Sequence, residues 1–123
     1  DIIVAVVGET PYAEMQGDRK SLELSNKDKI LIEKLIKTGK PIVLILISGR
    51  PMIITPYLEH VDAVLAAWFP GTEGAGLADL LFGDVPPTAK LSFSWPRNMS
   101  QIPINYGDKT YNPLFPLGYG LTY

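Results

Sequence analysis

Three short, uninterrupted apolar runs constrain the fold of this chain more than any other feature. They occupy residues 2–7, 42–47 and 63–68, and branched or small apolar side chains dominate all three. Continuous runs of this length are typical of strands buried on both faces, which occur mainly in parallel sheets. Patterns typical of helices lie between the runs, and an alternation of strands and helices predicts an α/β fold with a parallel sheet.

Two helices are predicted from their end signals. Ser25 is a good N-cap with Asp28 three residues later, and Gly39 suits the position just after a helix, so the first helix is expected at 26–38. The second is expected at about 75–82, where Gly83 ends the pattern. We expect both helices to cover the sheet.

The pattern changes after the second helix. Residues 91–95 alternate weakly and predict an edge strand, and residues 105–123 predict an extended tail without regular structure.

Composition excludes several classes of protein. A length of 123 residues suits one domain, and 11 Lys and Arg against 13 Asp and Glu leave no cationic surplus. Nucleic acid and anionic membranes are therefore not expected partners. The chain has no Cys and one His, which excludes disulfides, thiolate sites and a His-rich metal site, so no cofactor and no metal are expected. Because it opens directly on an apolar run without an initiator Met, we expect it to be part of a longer polypeptide.

Charged residues follow the ends of the three predicted strands. Because ligands bind at the carboxyl ends of parallel strands, these side chains are expected at one edge of the sheet. The set comprises Glu9, Glu14, Asp18, Arg50 and Glu73. Carboxylates near an arginine suit acid–base chemistry on a sugar or a phosphate. A structural ion-pair network has the same composition, and spacing alone favours that interpretation for any one residue.

A glycine-rich turn precedes the second helix and suggests phosphate binding. Gly71, Gly74 and Gly76 do not match the dinucleotide fingerprint or the P-loop, and close packing of a helix on a strand explains them equally well. A nucleotide-binding flavodoxin-like domain therefore stays one alternative, and a non-catalytic domain that binds carbohydrate or protein stays another. Ser48 lacks a G-x-S-x-G context, so a serine triad is not expected.

The motifs have a specific order along the chain. They are Val-Val-Gly-Glu at 6–9, Pro-Tyr-x-Glu-x-x-Gly-Asp at 11–18, Leu-Ile-Ser-Gly-Arg-Pro at 46–51, Trp-Phe-Pro-Gly-Thr-Glu-Gly at 68–74, Leu-Phe-Gly-Asp at 81–84, Lys-Leu-Ser at 90–92 with Trp-Pro at 95–96, and Pro-Leu-Gly-Tyr-Gly-Leu at 116–121. In this order they resemble the second, α/β-sandwich domain of family 3 glycoside hydrolases, the β-glucosidases and exo-β-glucanases. The resemblance covers nearly the whole chain.

The resemblance implies a fold, partners and a location. The fold is a flavodoxin-like, three-layer α/β/α sandwich with a mostly parallel sheet, incomplete here at its N-terminal end. Residues 1–123 would be part of the second domain of a two-domain hydrolase whose catalytic (β/α)₈-barrel domain is absent from this chain. The implied partners are that barrel and a β-glucoside or β-linked gluco-oligosaccharide, and a secreted or periplasmic location is favoured over a cytoplasmic one.

The resemblance also implies site residues. Family members are retaining enzymes that use two carboxylates, and the nucleophile is an Asp on the barrel. The Pro-Tyr-x-Glu match assigns the general acid/base to Glu14, while Glu73 fits a structural role. Glu9, Asp18, Arg19 and Arg50 are expected to support the substrate or the loop, and the isolated chain is expected to be inactive.

Overall fold

The computed structural model describes all residues from 1 to 123, and the chain forms two compact units, residues 1–69 and 70–123. The first unit contains β1 (Ile3–Gly8), α1 (Asn26–Ile36), β2 (Ile42–Ile47), a 3₁₀ helix (Thr55–His60) and β3 (Ala63–Ala66). The second unit contains α2 (Gly74–Phe82) and a short 3₁₀ helix (Met99–Gln101). No helix of the chain is both long enough and apolar enough to cross a membrane.

The three strands form one parallel sheet in the order β1-β2-β3. Gly8 pairs with Ile47 at the end of β1, and Ala63 pairs with Val43 at the start of β3. β2 lies at the centre, and four of its six residues are at most 3% exposed, namely Ile42, Leu44, Ile45 and Leu46. The predicted adjacent parallel strands and the α/β fold class are therefore confirmed.

β1 differs from the strand buried on both faces that its sequence predicted. Ala5 and Val7 are buried, whereas Val4 and Val6 are 47% and 55% exposed. Successive side chains of a strand point to opposite faces, and β1 is an edge strand that contacts α1. One face of β1 is packed and the other is open, so the expectation of complete burial was wrong for this strand.

Helix α1 begins as its sequence predicts. The Ser25 hydroxyl accepts a hydrogen bond from the Asp28 N–H at 3.2 Å and donates one to the Asp28 carboxylate at 2.8 Å. Gly39 follows the helix with a φ of 66°, a left-handed conformation that suits glycine. Ile32 is the buried residue of α1 and is 1% exposed.

The end of the long segment between β1 and α1 is anchored in the core of the first unit. Glu23 and Ile53 form a parallel bridge, and the Ile53 N–H donates to the Leu22 carbonyl at 2.8 Å. Leu24 is 3% exposed and Ile54 is fully buried. The segment is thus held at both ends, by β1 and by this bridge.

The second unit confirms one prediction and corrects another. α2 ends at Gly83, whose φ is 80°, as predicted. Residues 91–95 form no strand, and only a single antiparallel bridge joins Trp95 to Phe115. Trp95 is 2% exposed and packs edge-on against Phe115 with 6.3 Å between the ring centroids. Backbone hydrogen bonds of Leu91 and Trp95 to the tail accompany this aromatic pair. The tail itself contains no helix and no strand.

Candidate functional site

Two loops leave the same edge of the sheet and meet at Glu9. The first follows β1 and covers residues 9–24, here called the long loop, and the second covers residues 48–51 after β2. The last paired residues of the two strands are Gly8 and Ile47, and the Glu9 N–H donates to the Ile47 carbonyl at 2.9 Å. The parallel register therefore starts both loops side by side, as predicted from the sequence.

Gly8 permits this close start. Its φ is 153°, and a Cβ placed on it would lie 1.8 Å from the carbonyl oxygen of Ile47. Only glycine fits at that distance and in that conformation. The chain can therefore turn across the end of β2 and bring Glu9 against the second loop.

The Glu9 carboxylate is contacted by four polar groups of both loops, through three hydrogen bonds and an ion pair. Its Oε1 accepts a hydrogen bond from Arg19 Nη1 at 3.1 Å and forms an ion pair with Arg50 Nε at 3.2 Å. Its Oε2 accepts from the Tyr12 hydroxyl and from the Gly49 N–H, each at 3.3 Å. The side chain is 4% exposed. Glu9 is therefore a buried, paired carboxylate that connects the long loop to residues 49 and 50.

The Tyr12 ring packs at the centre of this arrangement. The Arg50 guanidinium lies 4.7 Å from the centroid of the ring, and Phe69 meets the ring edge-on at 6.0 Å. A Cβ on Gly17 would lie 2.2 Å from the ring, and one on Gly49 would lie 2.6 Å from the hydroxyl oxygen. Both glycines therefore make room for Tyr12, and cation–π and aromatic contacts fix its position.

Arg50 is held by both groups that it contacts. Partial burial lowers the pKa of its guanidinium, but the interaction with Tyr12 and the charge of Glu9 raise it, and the net shift is upwards. The carbonyl of Arg50 accepts a hydrogen bond from the Ser48 hydroxyl at 2.8 Å, and Ser48 is 1% exposed. Ser48 thus shapes the second loop.

Glu14 lies in a tight turn in the middle of the long loop. The Gly17 N–H donates to the Ala13 carbonyl at 3.1 Å, and Met15 adopts a φ of 55°. This conformation is uncommon for a bulky residue, and strained residues of this kind cluster at functional sites. Glu14 is exposed, and its carboxylate forms no hydrogen bond and no ion pair within the chain.

Two cavities border the long loop. Glu14, Asp18, Arg50 and Tyr12 line one of about 250 Å³. The other, of about 580 Å³, is lined by Glu9, Asp18 and Arg19 among others. Asp18 is exposed and borders both cavities. In neither place do three or more His, Cys, Asp or Glu side chains gather as a metal-binding group.

Glu73 belongs to the second unit. It occupies the N-cap position of α2 without a capping hydrogen bond, and its carboxylate accepts a hydrogen bond from the Thr72 hydroxyl at 3.4 Å. A Cβ on Gly74 or Gly76 would meet no atom within 4 Å. Gly71 has a positive φ of 60°, a conformation that favours glycine.

The structure brings together only some of the predicted site residues. Glu9, Arg19 and Arg50 form one ion-paired cluster, and Glu14 borders a cavity with Asp18 and Arg50. Sequence reasoning did not predict the roles of the Tyr12 ring, Gly17, Gly49 or the Ser48 hydroxyl. Their contacts cross between loops without a repeating period, so the only signal was their place within the motifs at 11–18 and 46–51.

Comparison with known proteins decides the family. Residues 1–123 match the model of the glycosyl hydrolase family 3 C-terminal domain. The chain belongs to this family. The family 3 assignment favours a glycosidase over a nucleotide-binding domain.

Relatives and solved structures agree on the class of enzyme. This family 3 domain is 38% identical to a periplasmic beta-glucosidase of Salmonella typhimurium over all of its own length and 19% of that protein. It is also 38% identical to a beta-xylosidase of Formosa agariphila, again over its whole length and 19% of that protein. The crystal structure of an exo-1,3/1,4-beta-glucanase from a Pseudoalteromonas species matches 99% of this domain and 16% of that chain, with a TM-score of 0.90 and 43% identity. A beta-glucosidase from Listeria innocua in complex with glucose matches all of this domain and 20% of that chain, with a TM-score of 0.89 and 32% identity.

These relatives are glycoside hydrolases, and this chain is a domain of such enzymes. It spans about a fifth of the length of the proteins that it matches.

Proposed function

We propose that this domain supplies the general acid/base, Glu14, to a retaining β-glycosidase that acts on β-glucosides and β-linked gluco-oligosaccharides. A (β/α)₈-barrel domain of the same protein supplies the nucleophile. The observation that carries the proposal is the free, exposed carboxylate of Glu14 at the tip of a loop that is anchored at both ends. The names of the relatives support the reaction class, and their greater length leaves room for a barrel.

The carboxylates of Glu14 and Glu9 differ in how accessible they are to a substrate. An acid that protonates a leaving group must touch the substrate, so its oxygens have to be accessible. Four polar groups contact the oxygens of Glu9, and its side chain is 4% exposed. Glu14 is exposed, and its carboxylate forms no hydrogen bond and no ion pair in the chain. Glu14 is therefore the carboxylate of this loop that is available to a sugar.

The first step forms a covalent glycosyl-enzyme. The barrel carboxylate attacks the anomeric carbon and forms a C–O ester bond while the bond to the leaving oxygen breaks. Glu14 donates its proton to that oxygen, so the aglycone departs as a neutral alcohol. Retaining enzymes hold the two carboxyl groups about 5–5.5 Å apart, and two negative charges that close are unfavourable, so the pair keeps one proton before the reaction.

The second step returns both groups to their starting state. The nucleophile is now esterified and neutral, and Glu14 is a carboxylate that can accept a proton from water. The water oxygen bonds to the anomeric carbon as the ester bond breaks, which releases the sugar with its original β configuration. Glu14 acts as acid and then as base, as this class of mechanism requires.

Replacement of Glu14 by Gln in the full-length enzyme tests the proposal. Gln keeps the shape of the side chain and has no acidic proton to donate. General acid catalysis is worth about 10²–10⁴-fold, and a disaccharide with a poor alkoxide leaving group is expected to lose that much in kcat/KM. An aryl glycoside with a good leaving group needs little protonation, so its first step is expected to be nearly unchanged, and the covalent intermediate is expected to accumulate.

Azide provides a second measurement on the same variant. It attacks the glycosyl-enzyme without a general base, and the neutral Gln does not repel it. Added azide is therefore expected to restore turnover of the aryl glycoside by E14Q and to yield a β-glycosyl azide. An equal loss for good and poor leaving groups, with no response to azide, would exclude Glu14 as the acid/base.

Glu73→Gln is the matched control, because it changes the same type of exposed residue in the second unit. It is expected to keep the wild-type dependence on the leaving group. If Glu73→Gln showed the selective loss instead, the acid/base role would move to Glu73. The sugar preference is tested by comparing the kcat/KM of the wild-type enzyme for an aryl β-glucoside and for the matching β-xyloside. A higher kcat/KM for the xyloside would contradict a glucosidase.

A further inference from the structure

The Glu9 cluster connects the two ends of the segment that contains Glu14. Glu9 and Arg19 lie ten residues apart and form an ion pair at 3.1 Å, and Glu14 is midway between them. The same carboxylate binds the second loop through Gly49 and Arg50. The buried Glu9 side chain therefore joins the two ends of the 9–19 segment to residues 49 and 50, and the tight turn with Glu14 projects from there. We call Glu9, Arg19, Gly49 and Arg50 the base of the loop.

Further contacts extend this base in both directions. Arg19 Nη2 donates to the Glu23 carbonyl at 2.7 Å, which reaches the bridge that anchors the end of the long loop. Arg50 packs over Tyr12 at 4.7 Å, and the Tyr12 ring supports Gly17 at the end of the turn. A path of direct contacts thus runs from the Glu9 carboxylate to both sides of Glu14.

The charges make this arrangement depend on Glu9. Its single negative charge faces the two positive charges of Arg19 and Arg50, whose side chains are 33% and 23% exposed. Without that charge the two guanidinium groups would be partly buried beside each other and would repel. Loss of the carboxylate is therefore expected to open the base of the loop rather than to leave it in place.

We propose that Glu9 is a positioning residue for the acid/base: its carboxylate holds the 9–19 segment closed against residues 49 and 50 and so fixes the location of Glu14. This inference rests on the proposed role of Glu14. Glu9 touches no substrate and acts through Glu14. A displacement of about 1 Å in a catalytic group can cost about 10²-fold in rate.

The test is Glu9→Gln in the full-length enzyme, alone and combined with Glu14→Gln. Alone, it is expected to lower kcat/KM for a poor leaving group by about 10²-fold and to affect an activated aryl glycoside much less. When it is combined with Glu14→Gln, little further loss of kcat/KM is expected for the poor leaving group, because the carboxyl group that Glu9 positions is already absent. A purely structural role would not produce this non-additivity.

Arg19 provides a second variant in case Glu9→Gln fails to fold. Arg19→Met is expected to show the same selective loss, and Arg19→Lys, which keeps the charge, is expected to recover part of it. Glu59→Gln is the matched control, since Glu59 is an exposed carboxylate of the same unit outside this cluster. It is expected to behave like the wild type.

Distinct results separate failure of this inference from failure of the proposed function. Suppose that Glu14→Gln shows the selective loss. Glu9 is then not a positioning residue if Glu9→Gln lowers kcat/KM equally for both substrates. It is also not one if the losses in kcat/KM from the two substitutions multiply fully in the double variant. If Glu14→Gln itself shows no dependence on the leaving group, the proposed function is wrong, and the role of Glu9 is rejected with it.

Discussion

Two glutamates of one loop differ in what surrounds them rather than in their chemistry. The Glu9 carboxylate is contacted by four polar groups and is almost fully buried, whereas the Glu14 carboxylate is exposed and unpaired. A saturated buried carboxylate stabilises a structure, and an accessible one can exchange a proton with a substrate. Two glutamates five residues apart are thus assigned different proposed roles, Glu9 in positioning and Glu14 in proton transfer.

At the same scale, Gly17 is expected to be intolerant of a side chain. In G17A the new Cβ would lie 2.2 Å from a Tyr12 ring that Arg50 and Phe69 hold in place. Such overpacking typically costs about 1–3 kcal/mol, so the thermal midpoint of the full-length enzyme is expected to fall, together with its activity on poor leaving groups.

Gly76→Ala is the control for this substitution. The added Cβ meets nothing within 4 Å, and Gly76 lies inside α2. Alanine in a helix is favoured over glycine by about 0.5–1 kcal/mol, so a small rise in the thermal midpoint is expected. A G17A enzyme as stable and active as the wild type would show that the Tyr12 ring is free to move.

At the scale of elements, the 3₁₀ helix of residues 55–60 is attached to the core by Tyr57. This residue is 8% exposed, and burial raises the pKa of its hydroxyl above 10.0, with Lys29 opposing the shift and Glu33 and Glu23 adding to it. The folded state therefore favours the protonated phenol more than the unfolded state does.

The pH dependence of stability follows from this shift. Below pH 10, where Tyr57 is protonated in both states, its contribution to the free energy of unfolding is fully present. As the pH rises past 10 the unfolded state releases the proton first, and the contribution is lost as the pH rises towards the folded pKa. Denaturant titrations at about pH 8 and about pH 11 are expected to show a larger fall for the wild type than for Tyr57→Phe. Equal falls would show that Tyr57 titrates alike in both states.

The strands also show how position in a sheet determines burial. β1 and β2 have similar sequences, yet Val6 is 55% exposed while Ile45, its register partner on the same face of the sheet, is 3% exposed. β2 has a neighbour on each side and β1 has one. A continuous apolar run therefore indicated a strand correctly but did not determine which of its faces would be covered.

At the scale of the whole molecule, each unit has an interior of its own. The first is built on β2 with Ile32 and Ile54, and the second on Trp95 with Phe115. Neither unit has the size of a complete family 3 enzyme, and the chain spans 19% of its beta-glucosidase relative.

Residues 1–123 alone are expected not to hydrolyse β-glucosides. The proposed acid/base cannot form a glycosyl-enzyme without a nucleophile on a second domain. The measurement is the release of an aryl aglycone by purified 1–123, with its Glu14→Ala variant as the blank and the full-length enzyme as the positive control. Turnover by 1–123 that disappears in the variant would mean that this chain contains a complete site.

The sequence by itself determined most of the secondary structure, the order of the strands along the chain and the resemblance that the family match confirms. The spacing of apolar residues and helix-end signals such as Ser25 and Gly83 depend only on residues close in sequence, so they predict helices and strands from the sequence alone. The Pro-Tyr-x-Glu motif likewise singled out Glu14 by resemblance, and its catalytic role stays a prediction.

The tertiary structure alone decided the surroundings of the site residues. Glu9 meets Gly49 and Arg50, forty and forty-one residues away, only because the register of β1 and β2 places Gly8 beside Ile47. Contacts between loops follow from where two strands end together, and no periodicity within either loop encodes them. For that reason the sequence could name Glu9 and Arg50 as candidates, while their pairing, and the place of the Tyr12 ring between the loops, required the fold.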